Sequence, residues 1–336
     1  MPAEVSVIVP CYNEARTIGA LLSSIQAQTF GSARIEVILS DGGSTDGTRE
    51  VIARAAATAA PLTVKLVDNP DRSIPAALNR AIAAAGGGMV VRLDAHAVPA
   101  PDYIARCVQV LADTAAANVG GVWDIRPGAE GWVARSIAAA VAHWLGAGDA
   151  GYRAGARAGP VDTVPFGAFD RRWLQRVGAF NEDLLTNEDY EYNYRIRQAG
   201  GQIWLDPSIR CVYFARPTLP ALARQYWRYG YWKAHMLSRF PRSLRWRQAI
   251  PPLFVAALVG LLVASAFWPT AAVGLAALLT VYLAVLFGAA ILQSARGRDI
   301  SLTIGLPAAW STVHLCWGTG LLAGWIAAQA ARRGHG

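Results

Sequence analysis

Between Gln248 and Ala295 the chain carries not one Asp, Glu, Lys or Arg, an uncharged run of 48 residues. A pair of buried helices in a soluble core seldom needs so long a run. A helix crossing about 30 Å of hydrocarbon needs roughly 20 predominantly apolar residues. Two stretches, 250–268 and 271–292, have that character, and Trp268-Pro269-Thr270 between them reads as a tight connection at the far interface. A second uncharged stretch, Ile300–Ala331, holds a third apolar segment at 303–328. Residues 250–331 are therefore expected to form a membrane domain of about three hydrophobic segments.

Orientation follows from the flanking charges. Arg242, Arg245 and Arg247 precede the first span, Arg296 and Arg298 follow the second, and the turn between them has none. The positive-inside rule then puts the large N-terminal part in the cytoplasm, with the chain multi-pass in the inner (plasma) membrane. Arg332 and Arg333 conflict with this if the third segment crosses fully, which leaves it to be tilted, re-entrant or broken at Pro307. The opening MPAEVSVIVP has no basic n-region and runs straight into a strand-like pattern, unlike a signal peptide.

The net charge of +8 conceals an asymmetry. Residues 1–206 hold 18 basic against 22 acidic side chains, whereas residues 207–336 hold 13 against one, Asp299. The basic residues crowd beside the most apolar part of the chain, so membrane lipid, and not nucleic acid, is the expected charged partner. Residues 216–249 concentrate this character: seven Lys/Arg from Arg224 to Arg247 alternate with aromatics and no acid. That suits an interfacial helix on anionic lipid, or equally a plain membrane anchor with no catalytic part. Cys11, Cys107, Cys211 and Cys316 are scattered without a CxxC pair, so neither a disulfide framework nor a zinc knuckle is indicated.

Residues 1–215 read as α/β. Val5–Val9, Ile35–Leu39, Val64–Val67 and Met89–Leu93 are short aliphatic runs typical of buried strands. Helical patterns separate them over Thr17–Gln28, from the GGSTDG turn (capped by Ser44 or Asp46) through Ala59, and over Ile74–Ala85. Alternation of this kind implies a mainly parallel sheet flanked by helices, with ligands at the carboxyl ends of its strands. Asp41 and Asp94 stand at two such ends. Neither GxGxxG nor GxxxxGK[ST] is present, which disfavours a dinucleotide fold or a P-loop.

Three constellations could carry chemistry. In Asp94-Ala95-His96, residues two apart in an extended chain point the same way and can share one divalent cation, although such a pair is commonly just loop polarity. Thr186-Asn187-Glu188-Asp189 leads into YEYNYRIRQAGG; Thr186 and Asp189 can also be read as a capping-box variant, and the tyrosines as core. Gln225-Tyr226-Trp227-Arg228-Tyr229 lies in the basic aromatic stretch.

In this order the pieces resemble the family 2 inverting glycosyltransferases of GT-A fold, in particular the membrane-bound succinoglycan-biosynthesis (ExoA-like) type. The resemblance rests on VSVIVPCYNE, LSDGGSTDGT, RLDAHA, VPFGAFDRRWLQRVGAFNEDL and NEDYEYNYR, followed by the membrane tail. It implies that Pro10, Tyr12, Glu14 and Asp41 hold the nucleoside. Asp94 and His96 would bind Mg²⁺ or Mn²⁺ with the diphosphate, Asp94 also touching the nucleotide. Phe166 and Gly167 would lie on the acceptor or diphosphate side, joined there by Gln225, Trp227 and Arg228. Asp189 would be the general base, with Glu188 its nearest substitute. The implied reaction moves a sugar from a nucleotide-sugar, UDP-linked, to a polyprenyl-diphosphate-linked saccharide, giving a β-glycoside for exopolysaccharide or cell-surface glycan. The DAH triplet has His96 where many members have Asp, and imidazole favours Mn²⁺ or softer ions over Mg²⁺. QYWRY has Tyr229 where processive synthases have Trp, which points to single-sugar addition. Two other readings stay open: a polyprenyl-phosphate sugar transferase, and a non-catalytic nucleotide-binding membrane scaffold.

Overall fold

The computed structural model describes residues 3–148, 150–155 and 157–333. Met1 and Pro2, which open the stretch read for a leader, lie outside them, as do the side chains of Arg332 and Arg333. The chain divides into two compact units, Met1–Asp124 with Gly151–Tyr213, and Ile125–Ala150 with Phe214–Gly336. The second therefore claims a piece from the middle of the stretch 1–215.

The first unit opens with four parallel strands, β1 (Val5–Cys11), β2 (Ile35–Asp41), β3 (Thr63–Asp68) and β4 (Met89–Arg92), in the order β3-β2-β1-β4. Helices α1 (Ile18–Gln26), α2 (Thr48–Thr58) and α3 (Ile74–Ala84) connect them. Strands covered on both faces need aliphatic side chains in both directions. Val7 and Val9 accordingly enter one core with Ile18 and Leu21, while Ile8 and Ile38 enter the other with Leu78 and Ala81. After β5 (Val98–Pro99), α4 (Tyr103–Thr114) and β6 (Asn118–Arg126) the chain leaves for the second unit through α5 (Trp132–Ala142) and α6 (Trp144–Ala147). It returns with α7 (Gly151–Ala154), β7 (Gly159–Val161), β8 (Ala168–Asp170), α8 (Arg171–Val177), α9 (Glu188–Gln198) and β9 (Ile203–Phe214). β8 runs antiparallel to both β4 and β6, and the sheet continues β8-β6-β9-β5 with β7 on β9. The parallel half is thus extended by an antiparallel half.

Two helix starts differ from expectation. Gly47, left-handed at φ 91°, precedes α2 in place of a Ser44 or Asp46 cap. Ser44 is engaged with Asp41, while Asp46 accepts the Thr48 N–H at 3.1 Å from one residue further out. At α9 the Thr186–Asp189 capping box does not form: Asn187 is left-handed at φ 67°, and Thr186 Oγ1 donates to the Leu185 carbonyl. Tyr192 is core, stacked 4.0 Å from Phe180, and the Glu191–Arg195 pair forms at 2.8 Å.

In the second unit α10 (Leu219–Arg239) starts at Thr218, whose hydroxyl accepts the Ala221 N–H, and spans the basic aromatic stretch. Buried Lys233 donates to the Ser243 carbonyl at 3.0 Å and so fixes the turn that follows. α11 (Trp246–Ser265) and α12 (Pro269–Gly297), joined through Trp268, are long and apolar enough to cross a membrane. α13 (Leu302–Arg333) is continuous through Pro307 and is not broken there.

Candidate active site

The first cluster of expected site residues is built where β1 and β2 end. Asp41, fully buried, accepts the Ser44 N–H at 3.1 Å and the Ser44 hydroxyl, with Arg49 Nε 3.6 Å away. The loops after β1 and β2 are laced together. Asn13 Oδ1 accepts the Thr45 N–H at 2.9 Å, Ser44 Oγ accepts the Asn13 N–H at 2.8 Å, and Thr48 Oγ1 accepts the Glu14 N–H at 2.8 Å. Asn13 pays for this with a left-handed φ of 57°. The lacing presents the Tyr12 ring half-exposed, with the Arg72 guanidinium 5.9 Å from its centroid. Pro10 sits opposite Ser40 in the ladder, one residue behind the strand end.

Arg92 closes β4, and Arg92, Asp94 and His96 follow at alternate positions. Asp94 and His96 are partly exposed, and Glu14 Oε1 lies 3.2 Å from His96 Nδ1. Burial pushes the Glu14 carboxyl up, but hydrogen bonds from His96 and Thr17 outweigh it and hold the carboxyl below its ordinary range. Glu14 thus gives the His96 imidazole a carboxylate partner, the arrangement that can orient a ligating histidine. Among the described residues no cluster of three or more His, Cys, Asp or Glu could enclose a metal. Asp94 and His96 suit a cation that completes its shell with ligand oxygens, not one caged by protein.

The Glu188-Asp189 pair reaches the same place through Arg92. Its Nη2 lies 2.9 Å from Glu188 Oε1 and 3.3 Å from Asp94 Oδ1. Its Nε and Nη1 are buried without a hydrogen-bond partner among the described residues. Burial alone would lower the pKa of Arg92, but Asp94, Glu188 and Asp189 around it raise it, so the guanidinium stays charged. Burial drives the Glu188 carboxyl up from its ordinary range; Arg92 opposes this and the Asp189 carboxylate adds to it. Asp189, half-buried, accepts the Tyr190 N–H at 2.7 Å. α9 itself is pinned by Asn193, which accepts from Asn118 at 2.7 Å and donates to Thr163 at 2.9 Å.

Phe166 and Gly167 stand beside β4, where the Gly167 carbonyl accepts the Arg92 N–H at 2.9 Å. Both have positive φ, and a Cβ at Gly167 would stand 2.7 Å from Asn118 Oδ1. The Phe166 ring is buried, its centroid 5.6 Å from that of Trp123. Gln225, Trp227 and Arg228 belong to α10 of the second unit. There Gln225 donates to the Tyr229 hydroxyl at 2.9 Å, and Trp227 stacks on Tyr231 at 5.1 Å. The first unit thus brings together Tyr12, Glu14, Asp41, Asp94, His96, Glu188 and Asp189. Arg92, Asn13 and Arg72 were missed by sequence reasoning. Arg92 was detectable, since it shares the two-residue period of Asp94 and His96.

A half-parallel sheet with this carboxylate-lined end is the GT-A fold of sugar transferases, and the comparisons agree. Residues 6–178 match the model of Glycosyl transferase family 2. The chain belongs to that family and is a glycosyltransferase. It is 33% identical over 264 residues to the succinoglycan biosynthesis protein ExoA of Rhizobium meliloti (strain 1021), covering 78% of each chain. It is 25% identical over 248 residues to the dolichyl N-acetyl-alpha-D-glucosaminyl phosphate 3-beta-D-2,3-diacetamido-2,3-dideoxy-beta-D-glucuronosyltransferase of Methanococcus voltae, covering 72% of this chain and 76% of that one. Among solved structures it is similar to the mannosyltransferase PcManGT from Pyrobaculum calidifontis in complex with GDP-Man and Mn²⁺. That match has a TM-score of 0.63 at 26% identity and covers 93% of this chain and 87% of that one.

Proposed function

We propose that the protein is an inverting glycosyltransferase that moves a sugar from a nucleotide-sugar to a saccharide carried on a polyprenyl diphosphate, forming a β-glycosidic bond. The observation that carries this reading is the convergence of Asp94, Glu188 and Asp189 on one buried guanidinium, Arg92. Tyr12 and Asp41 hold the nucleoside end, and Asp94 and His96 would hold a divalent cation at the diphosphate. Bound there, it would supply stabilisation for the negative charge that develops on the leaving group. Asp189 takes the proton of the acceptor hydroxyl as that oxygen attacks the anomeric carbon from the face opposite the diphosphate. Arg92 holds Glu188 and Asp94 in place, a positioning role, so that Asp189 at the start of α9 keeps its register with the diphosphate end. No covalent sugar–enzyme intermediate is needed.

The Methanococcus voltae relative, named for transfer to a dolichyl-phosphate-linked sugar, supports a lipid-linked saccharide here. The relationship to a succinoglycan biosynthesis protein supports exopolysaccharide or cell-surface glycan as the product class. The arginines around α11 and α12 support a plasma-membrane protein with its catalytic part in the cytoplasm.

The test is a donor screen with detergent-purified protein, Mn²⁺ or Mg²⁺, and lipid-linked oligosaccharides, the product's anomeric configuration being read by NMR. Transfer with a β-linked product is the expected result, and an α-linked product excludes inversion from an α-linked donor. Transfer to bare polyprenyl phosphate that survives loss of Asp189 assigns the protein to the polyprenyl-phosphate sugar transferases. Failure to transfer or hydrolyse any nucleotide-sugar overturns the proposed reaction.

A further inference from the structure

After α10 the second unit holds three long apolar helices, and one is unlike the others. In α11 and α12 only 11% of each apolar window is buried, so protein covers little of their girth. In α13 the exposed large side chains Ile304, Leu315 and Ile326 fall at whole-turn spacing on one stripe, with Trp325 beside it. Protein covers most of the remainder. The first half of α13 lies on α5 and α6. Gly305 abuts Ser136 with no room for a Cβ, Trp310 Nε1 donates to the Ala140 carbonyl at 3.2 Å, and His314 Nε2 is 2.8 Å from the Leu145 carbonyl. The second half lies on α10, where Gly320 and Gly324 leave no room for a Cβ against the Trp227 and Tyr231 carbonyls. Between the halves, Trp317 Nε1 donates to the Gln248 carbonyl at 3.3 Å in the first turn of α11.

These contacts fix the depth of α13. Its start follows Arg296 and Arg298, and Asp299 there pairs with Arg135 at 3.1 Å. Its midpoint touches the entry of α11, directly behind Arg242, Arg245 and Arg247. Both points therefore belong to the same charged side of the membrane. With Leu302 starting about 13 Å outside a layer of roughly 30 Å, a crossing helix would carry residue 317 about 22 Å inward from Leu302. Residue 317 would then lie about 9 Å below the boundary, inside the acyl region. Trp227, Arg228 and Gln248 would have to follow it, and an arginine at that depth is disfavoured. The Tyr282 hydroxyl, 3.0 Å from His314 Nδ1, is compatible with a shallow position. α12 has 29 residues. At about 43 Å it overshoots the layer by about 13 Å, and with Trp268 at the far interface the overshoot falls at its Arg296 end. Tyr282 then lies only about 10 Å below the boundary.

We propose that α13 does not cross the membrane but lies in the headgroup–acyl boundary of the leaflet that α11 enters, with the Ile304–Leu315–Ile326 stripe and Trp325 seated in the acyl chains. The C-terminal end of α13 then emerges on the face of the 298–301 loop, opposite the Trp268 turn. Arg332 and Arg333 fall on the basic side of the membrane, and the positive-inside conflict disappears.

The test adds one cysteine at a time to a Cys316→Ser background, in which the remaining Cys11, Cys107 and Cys211 are buried, with Thr270→Cys, Arg298→Cys and Ala330→Cys probed by a membrane-impermeant maleimide from either side. Ala330→Cys is expected to label from the same side as Arg298→Cys and from the side opposite Thr270→Cys. Labelling with Thr270→Cys overturns the proposal. So does no labelling from either side, because the end of a surface helix must be reachable. In reconstituted liposomes a fluorophore on Leu315→Cys is expected to be quenched more by shallow than by deep nitroxide lipids, and the reverse order also overturns it. Neither readout depends on catalysis, so failure here is separable from failure of the proposed activity.

Discussion

Two carboxylates are buried at opposite ends of the central sheet, Glu36 near the start of β2 and Glu188 beside the end of β4, and their surroundings differ in kind. Glu36 receives the Ser6 hydroxyl at 2.6 Å, the Gly86 and Gly87 N–H groups at 2.6 and 3.2 Å, and Lys65 Nζ at 2.7 Å. Burial would push its carboxyl up, but these donors prevail and hold it below the ordinary range. Glu188 has one guanidinium, shared with Asp94 and neighbouring Asp189, and burial prevails. A buried charge with every lone pair answered holds a fold together, whereas one left half-answered stores electrostatic free energy where a ligand can use it. The lower end of the sheet is structural and the upper end is poised for chemistry.

The comparison breaks first at Asp189. Asp189→Asn is expected to cut turnover by about 10²–10⁴-fold, the range for loss of a general base, with little change in donor affinity or melting temperature. A variant retaining more than about a tenth of wild-type turnover removes Asp189 from the base role.

Arg92 comes next. Arg92→Met leaves Glu188 buried and unpaired, and should cost about 3–5 kcal/mol of stability along with most of the turnover. Adding Glu188→Met should restore much of the stability and none of the turnover. Recovery of both, in thermal melts and transfer assays, would reduce Arg92 to a packing residue.

His96→Ala is expected to weaken binding of a nucleoside diphosphate in Mn²⁺ by about tenfold, equivalent to about 1.4 kcal/mol, and to leave free nucleoside binding intact. Equal loss of both in calorimetry would make His96 part of the pocket wall.

The smallest effect is at the lower end. Glu36→Gln should lose roughly 1–3 kcal/mol while turnover per folded molecule stays unchanged. Because the folded pKa of Glu36 is depressed, its contribution is complete above the unfolded value of about 4.3 and is lost as pH falls through the folded one. The gap in melting temperature between wild type and Glu36→Gln should therefore narrow on acidification below about pH 4. A gap that widens there would contradict the assignment.

What the sequence disclosed follows the range of the forces involved. β1 to β4 were legible because buried parallel strands are local aliphatic runs, and each of the four predicted runs lies within one or two residues of a strand. β6, β8 and β9 were not, since their ladders pair distant segments such as Asn118 with Phe169, and the local signal is lowered by Gly120 and Gly121 in β6, by the three-residue length of β8 and by Pro207 in β9. Asp94 and His96 could be placed together from a two-residue period. That Glu14 would turn to His96, 82 positions away, depends on how the loops after β1 and β2 lace together, which no local pattern records.

One further consequence concerns how the molecule could be cut. The excursion Ile125–Ala150 makes the chain pass between the two units three times rather than once. Ser136, Ala140 and Leu145 on that excursion are met by Gly305, Trp310 and His314 from the far end of the sequence. A protease or a stop codon at residue 249 would not release a self-sufficient enzyme. It would leave α5 with its buried face bare, an apolar helix deprived of the neighbour that keeps it from aggregating. Residues 1–249 should therefore be recoverable only in detergent or together with a separately expressed 250–336 fragment.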